Sequence, residues 1–186
     1  MKMIKVIAFD LVGVLVTERD IDLTEEEDKI ERLFGSNRSD ADFLLEARKI
    51  ISNDALLVRT TQSIIDKIYK VKEPDLFKKL KQKYNNIKIV IATNHVSYIR
   101  EFIGEAFGID YLDNFYISAE IHKIKPETTF YEHLLSKLNI KNEELLFLDD
   151  SQVNIDGARE LGIHTIKVVK EMNLYETIIN WLENSN

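Results

Sequence analysis

Residues 4–17 read IKVIAFDLVGVLVT, an apolar and β-branched run that delivers one carboxylate, Asp10, into a turn containing Gly13. A short apolar run bounded by a turn signal reads as a fully buried strand. An acid placed at the end of such a strand has no structural return of its own, so its position points to chemistry. Lys2 and Lys5 ahead of the run imitate the charged start of a secretory leader. Asp10 interrupts the apolar stretch, however, and no small-residue cleavage site follows, which makes a core strand the better reading.

The same grammar recurs along the chain. After 4–9, further strand-length apolar runs lie at 87–92 (IKIVIA), 115–118 (FYIS), 145–148 (LLFL) and 164–169 (HTIKVV). Helical patterns at 96–107, 126–138, 152–161 and 173–183 follow these later runs. Pro126 is expected in the first turn of its helix, where a missing N–H is harmless, and Gly162 ends the 152–161 helix. Alternation of this kind implies βαβ crossovers and a parallel sheet with helices on both faces. Residues 17–72 break the rhythm and read as helical throughout. Thr24 with Glu27 is a capping-box pattern, Ser39 with Asp42 is a second cap, and 60–70 gives a third helix. The expected architecture is therefore an α/β, Rossmann-like core formed by 1–16 and 73–186, with 17–72 as a small helical cap inserted after the first strand.

Bulk properties narrow the partners. The 186 residues carry a net charge of -7 and include no cysteine. Nucleic acid and anionic membranes find no general basic field here, and no run approaches the ~18 apolar residues of a membrane span. Disulfides and thiolate zinc sites are excluded, which fits a reducing, cytoplasmic setting. The four histidines, at 95, 122, 133 and 164, have no metal-ligand spacing. His95 differs from the others in standing beside Thr93-Asn94, where it is read as a substrate contact. The run EEEDKIE at 25–31 reads as a solvated helix face, and Trp181 with Ile178, Ile179 and Leu182 as the apolar face of the last helix.

Chemistry gathers where strands run out. Asp10 follows the first strand, Thr93 and Asn94 the second, Lys125 lies in the loop after the third, and Asp149-Asp150 follow the fourth. Ligands of open parallel sheets bind beyond the carboxyl ends of the strands. Three carboxylates brought together there repel one another unless a cation intervenes. Mg²⁺, which takes one or two carboxylates and keeps waters for a phosphate, suits that cluster. Lys125 then neutralises charge between Asp10 and the phosphate, and Thr93 and the backbone near Asn94 hold phosphate oxygens. Asp10 is left to attack phosphorus. Read singly, Asp149-Asp150 also serve as a helix cap and Thr93-Asn94 as a plain turn.

FDLVGVL, IATN, KIKPETTFYEHL and LFLDDSQVNIDGARELGI resemble, in order, the four motifs of the haloacid dehalogenase superfamily, in its branch with a helical cap after motif one. The resemblance implies Asp10 as nucleophile, Thr93 and Asn94 on the phosphate and Lys125 as the bridging lysine. It implies Mg²⁺ on the Asp10 carboxylate, the Val12 carbonyl and Asp150, with Asp149 acting through water and Asn154 in support. Val12 stands where family phosphatases usually carry an Asp that protonates the leaving group. Its side chain has no proton to give, while its backbone carbonyl is unaffected.

The favoured expectation is a Mg²⁺-dependent phosphatase of small phosphorylated metabolites. Glu18, Asp20 and His95 are the candidate substitute acids, and Lys125→Ala is expected to cost turnover and leave folding intact. A catalytically weak binding or regulatory protein is the alternative that Val12 raises. A dehalogenase is disfavoured by the retained Asp149 and Asp150. A signalling receiver domain places its acid pair early, and neither glycine fingerprint of a nucleotide fold occurs.

Overall fold

A computed structural model describes residues 4–35 and 39–184; Lys2, which entered the N-terminal reading, lies outside the described residues. The elements are β1 (Val6–Phe9), β2 (Val16–Glu18), α1 (Glu25–Glu31), α2 (Asp40–Ala47), α3 (Asp54–Ile68), β3 (Tyr69–Val71), α4 (Leu76–Lys83) and β4 (Lys88–Thr93). They continue with α5 (Ile99–Phe107), β5 (Asn114–Ile117), α6 (Ser118–Ile121), α7 (Thr128–Leu138), β6 (Leu145–Asp149), α8 (Gln152–Glu160), β7 (His164–Lys167) and α9 (Leu174–Asn184). Among the described residues, no helix is long and apolar enough to cross a membrane.

β1 is the middle strand of a five-stranded sheet ordered β5-β4-β1-β6-β7, and every pair in it is parallel. Alternate side chains of the central strands go to opposite faces, as the two-residue strand period requires. Ile7, Phe9, Ile89, Ile91, Leu146 and Leu148 join one apolar cluster with α4, α5 and α9. Val6, Ala8, Val90, Ala92, Leu145 and Phe147 join another with α7 and α8. Connections leave β1 towards β4 and β5 on one side and later return to β6 and β7 on the other, so the strand order reverses at β1. That reversal opens a crevice at the carboxyl end of β1, where Asp10 stands.

Four sequence readings change. Residues 17–72 are not helical throughout. β2 and β3 pair antiparallel, Thr17 opposite Lys70 and Glu18 opposite Tyr69, and form the two legs of the insertion. Each leg is three residues long and its partner is remote in sequence, so no local period marks it. The third helix begins at Asp54 rather than near 60, because the Asn53 side chain accepts from Leu56 N at 2.9 Å and caps it. α7 begins at Thr128, leaving Pro126 outside the helix. Pro126 packs on α8 instead: a Cβ added to Gly157 would stand 2.6 Å from its carbonyl oxygen. Nor is 25–31 a wholly solvated face, since Ile30 is buried and Glu27 pairs with Lys67 of α3. The two capping boxes at Thr24–Glu27 and Ser39–Asp42 form as read.

The insertion meets the core at residues 95–102. Phe34 and Tyr69 flank the His95 ring, the Tyr69 hydroxyl lies 3.0 Å from its Nε2, and Nδ1 lies 3.1 Å from Val96 O. Asp40 Oδ1 accepts from Ser97 N at 3.0 Å, while Phe43 meets Tyr98 and Tyr69 meets Phe102. Phe34, Phe43 and Tyr69 belong to the same apolar cluster as Phe9 and Ile91. Burial drives the pKa of His95 from its ordinary 6.5 down to about 4, so the ring is neutral.

Two outcomes follow from these contacts. The unfolded chain takes a proton at His95 before the folded one does, so stability falls as pH drops from about 6.5 towards 4. Denaturant melts should show wild type losing about 2 kcal/mol more than His95→Gln between roughly pH 7.5 and 5. At Gly157, alanine would gain about 1 kcal/mol of helix propensity. Its methyl would force backbone apart at a cost of about 1–3 kcal/mol, so Gly157→Ala should lower Tm in a thermal melt.

Candidate active site

Asp10 sits one residue beyond β1, its N–H donating to Leu148 O at 2.9 Å, so its carboxylate is fixed over the central crevice. The turn that follows uses the Leu11 carbonyl for the N–H groups of Val14, Leu15 and Val16, and the Val16 carbonyl for Gly13. Val12's carbonyl stays out of these bonds. Gly13 has φ of +83°, and a Cβ there would lie 2.3 Å from Asp150 Oδ2. Only glycine permits both the backbone conformation and the close approach. The Asp10 turn is thereby closed onto the acid that follows β6.

Lys125 reaches this point from the loop between α6 and α7. Its ammonium donates to Asp10 Oδ1 and to Asp149 Oδ2, each at 2.7 Å, and its side chain is 1% exposed. Asn94 sets the loop: its amide nitrogen donates to Lys125 O at 2.9 Å and its amide oxygen accepts from Lys125 N at 3.0 Å. Asp149 is fully buried and its remaining acceptor sites are taken, Oδ1 by Ser151 N and both oxygens by Asn154 Nδ2. Asn154 is held in turn by the Tyr131 hydroxyl, which donates to its carbonyl at 2.8 Å. The Asp150 carboxylate lies against Gly13 with no side-chain donor on it among the described residues, while Lys167 donates to its backbone carbonyl.

One oxygen from each of Asp10, Asp149 and Asp150 lies within 4.8 Å of the others. Burial lifts the pKa of Asp10 to about 6, with the Asp149 charge adding and Lys125 opposing. Burial disfavours the Lys125 charge, yet the two carboxylates overcome this and hold its pKa above the usual lysine value. Asp150 is raised too, by partial burial of its carboxyl against the turn and by Asp149. Three acids facing one embedded ammonium leave negative charge unbalanced. Asp10 and Asp150, with Asp149 beside them, offer an all-oxygen donor set, which fits a hard divalent cation.

Asp10, Lys125, Asp149, Asp150 and Asn154 thus converge, while Val12 lies in the turn between Asp10 and Gly13 and Thr93 ends β4, the strand paired with β1. Thr93 is 2% exposed, and its hydroxyl has no partner among the described residues. Two assignments differ. Asn94 spends its whole side chain on the Lys125 loop, which leaves only backbone for a phosphate. His95 makes no substrate contact, because both ring nitrogens are engaged and its N–H donates to Ser118 Oγ at 3.1 Å. Being neutral, with Nε2 accepting, it has no proton for a leaving group either. Sequence reasoning missed Tyr131, Gly157 and Lys167. Of these Lys167 had a visible signal, as the one charged residue inside the apolar run 164–169.

Solved structures share this architecture. A predicted HAD-like hydrolase from Porphyromonas gingivalis superposes with a TM-score of 0.75 at 21% identity, over 97% of this chain and 98% of its own. A HAD-family enzyme from Bacteroides thetaiotaomicron, solved with magnesium and inorganic phosphate, gives 0.69 at 20%, over 94% and 98%. In sequence, mouse bifunctional epoxide hydrolase 2 is 43% identical over 51 residues, which is 27% of this chain and 9% of that protein. The chain therefore matches only a small fraction of that relative's length. The profile of the haloacid dehalogenase-like hydrolases matches residues 4–162, and the chain belongs to that family.

Proposed function

We propose that this hydrolase is a Mg²⁺-dependent phosphatase of small phosphorylated metabolites that works through an aspartyl-phosphate on Asp10, with 17–72 as its cap. One observation carries the reading: a buried carboxylate held by Lys125 at 2.7 Å, beside two further acids whose oxygens lie within 4.8 Å. The Bacteroides structure with magnesium and phosphate supports it. Bound at Asp10, Asp150 and the Val12 carbonyl, Mg²⁺ would neutralise the acids and polarise the phosphoryl group.

The chain's own groups have distinct tasks. Lys125 fixes the Asp10 rotamer and places positive charge between nucleophile and phosphate. The Thr93 hydroxyl and the backbone after β4 take phosphate oxygens. Asp10 attacks phosphorus, the ester oxygen leaves, and water later opens the acyl phosphate. Asn154 and Ser151 hold Asp149 so that it in turn orients Lys125. Retention of Asp149 and Asp150 weighs against dehalogenation, which needs no metal.

Mg²⁺ titration by calorimetry should show one binding event, absent in Asp150→Ala, with turnover of aryl phosphate lost on chelation. Full activity in chelator would overturn the reading, and phosphoryl transfer from no donor would favour a binding protein instead. Burial changes what Lys125→Ala is expected to do. Removing the ammonium leaves two adjacent buried carboxylates unpaired, at a cost of about 3–5 kcal/mol. Denaturant melts should therefore show a loss of stability as well as of turnover, partly restored by Mg²⁺.

A further inference from the structure

The Lys125 ammonium has a close neighbour besides its two acids, and one buried phenol touches both that neighbour and the residue that holds Asp149. We infer that Tyr131, on α7, is a positioning residue for the Lys125–Asp149 pair, acting through its ring on one side and its hydroxyl on the other. The inference rests on the phosphatase reading above, since it concerns how that site holds its charge.

The strand period sets the starting point. Phe147 and Asp149 are two residues apart on β6, so their side chains leave the same face of the sheet, the one covered by α7 and α8. Lys125 Nζ lies over the Phe147 ring, 5.4 Å from its centroid. A ring face attracts a cation within about 6 Å, and more strongly where water is excluded. The ammonium thus has three close neighbours: Asp10, Asp149 and the Phe147 ring. Two hold it by hydrogen bonds and the third by the quadrupole of the ring.

Tyr131 reaches this ammonium by two routes. Its ring meets the Phe147 ring edge-on, with centroids 5.5 Å apart and planes at 73°. Its hydroxyl donates to Asn154 O at 2.8 Å, and the Asn154 amide donates to Oδ1 and Oδ2 of Asp149 at 3.1 and 3.0 Å. Asp149 Oδ2 then accepts from Lys125 at 2.7 Å. Gly157, one turn on from Asn154, lets α8 come this close. A Cβ there would stand 2.6 Å from Pro126 O and 3.4 Å from Tyr131 Cε2.

Phenylalanine would fill the same space. Tyr131 is wholly buried in an apolar cluster beside Phe130 and Phe147, where a hydroxyl is costly unless it finds a partner. The partner it finds is the backbone of the residue that grips Asp149. Asn154 lies in the first turn of α8, so the bond fixes the turn from which the amide is presented. An amide anchored at its backbone has less freedom to leave Asp149, and Asp149 has less freedom to leave Lys125. A charge aimed at a transferring group is effective when it need not reorganise during the reaction.

Steady-state hydrolysis of p-nitrophenyl phosphate at saturating Mg²⁺ tests the assignment, with a thermal melt recorded for each variant. Tyr131→Phe keeps the ring and removes the hydroxyl. It should lower kcat by about 3- to 10-fold, the size of one hydrogen bond in rate, and change KM by less than about twofold. In an Asn154→Ala background, where no amide reaches Asp149, the same change should lower kcat no further. Tyr131→Leu removes the ring as well. Assayed below its melting temperature, it should lose more kcat than Tyr131→Phe, and that excess should persist beside Asn154→Ala because it runs through Phe147. A Tyr131→Phe enzyme with a lowered Tm and an unchanged kcat would make the hydroxyl a tie between helices and overturn the assignment. Equal kcat losses from Tyr131→Phe with and without Asn154 would overturn it too. Either result leaves the phosphatase reading standing. Wild type indistinguishable from Asp10→Asn on this ester would remove that reading and the positioning role together.

Discussion

A single ammonium shared by two buried carboxylates organises this molecule. Lys125 touches Asp10 and Asp149 at 2.7 Å each, and all three are among its few buried charged groups. Such a triad is tolerable only when every member is held and hydrogen-bonded. The surrounding structure meets that condition from several sides at once. β1 and β6, adjacent in register, place the two acids. Asn94 grips the lysine's backbone from β4's end, and Gly157 lets α8 approach Pro126 closely enough to support the same loop. Asn154 and Ser151 saturate Asp149. The fold is thus arranged around one charge-neutralising contact that brings Asp10 to partners more than a hundred residues away in sequence.

That contact also explains the division of labour among the acids. Asp149 is consumed by the protein and behaves as part of the scaffold for Lys125. Asp10 keeps one oxygen clear of the lysine, and Asp150, pressed against Gly13, has no lysine on its carboxylate. The site therefore combines one firmly held carboxylate with an uncompensated oxygen cluster. Electrostatic preorganisation of this kind stabilises charge on a transferring group without reorganisation at the moment of reaction.

Much of this was legible because each acid follows an apolar run. The strand signals at 4–9, 87–92 and 145–148 by themselves place Asp10, Thr93 and Asp149 at the carboxyl ends of neighbouring strands. What escaped shares a physical cause, namely dependence on remote partners. The ribbon of β2 and β3 exists only through pairing across the insertion. Pro126 looked like a helix start because its local pattern is one, but contact with Gly157 keeps it in the loop. His95 seemed a substrate contact from its place beside Asn94, and only the arrival of Phe34 and Tyr69 turns it into a buried, neutral joint. The acidic run 25–31 has the composition of a solvated face, yet Ile30 within it is buried.

The joint at His95 bears on how the two halves of the site cooperate. The core supplies Asp10, Asp149 and Asp150 at strand ends and Lys125 from the loop that Asn94 holds. The insertion reaches the core through aromatic contacts and hydrogen bonds at 95–102 within one continuous apolar cluster. The Tyr69 hydroxyl links the ribbon beneath Glu18 directly to the loop after β4, so a shift of the insertion is felt one residue from Asn94 and hence at Lys125. A valine at position 12 is compatible with the turn, whose hydrogen bonds all run between backbone groups. The closure of Gly13 on Asp150 depends on that backbone conformation and not on the side chain beside it. The constraint therefore acts on where charge is held, and it is met by backbone geometry around Asp10, Lys125 and Asp149.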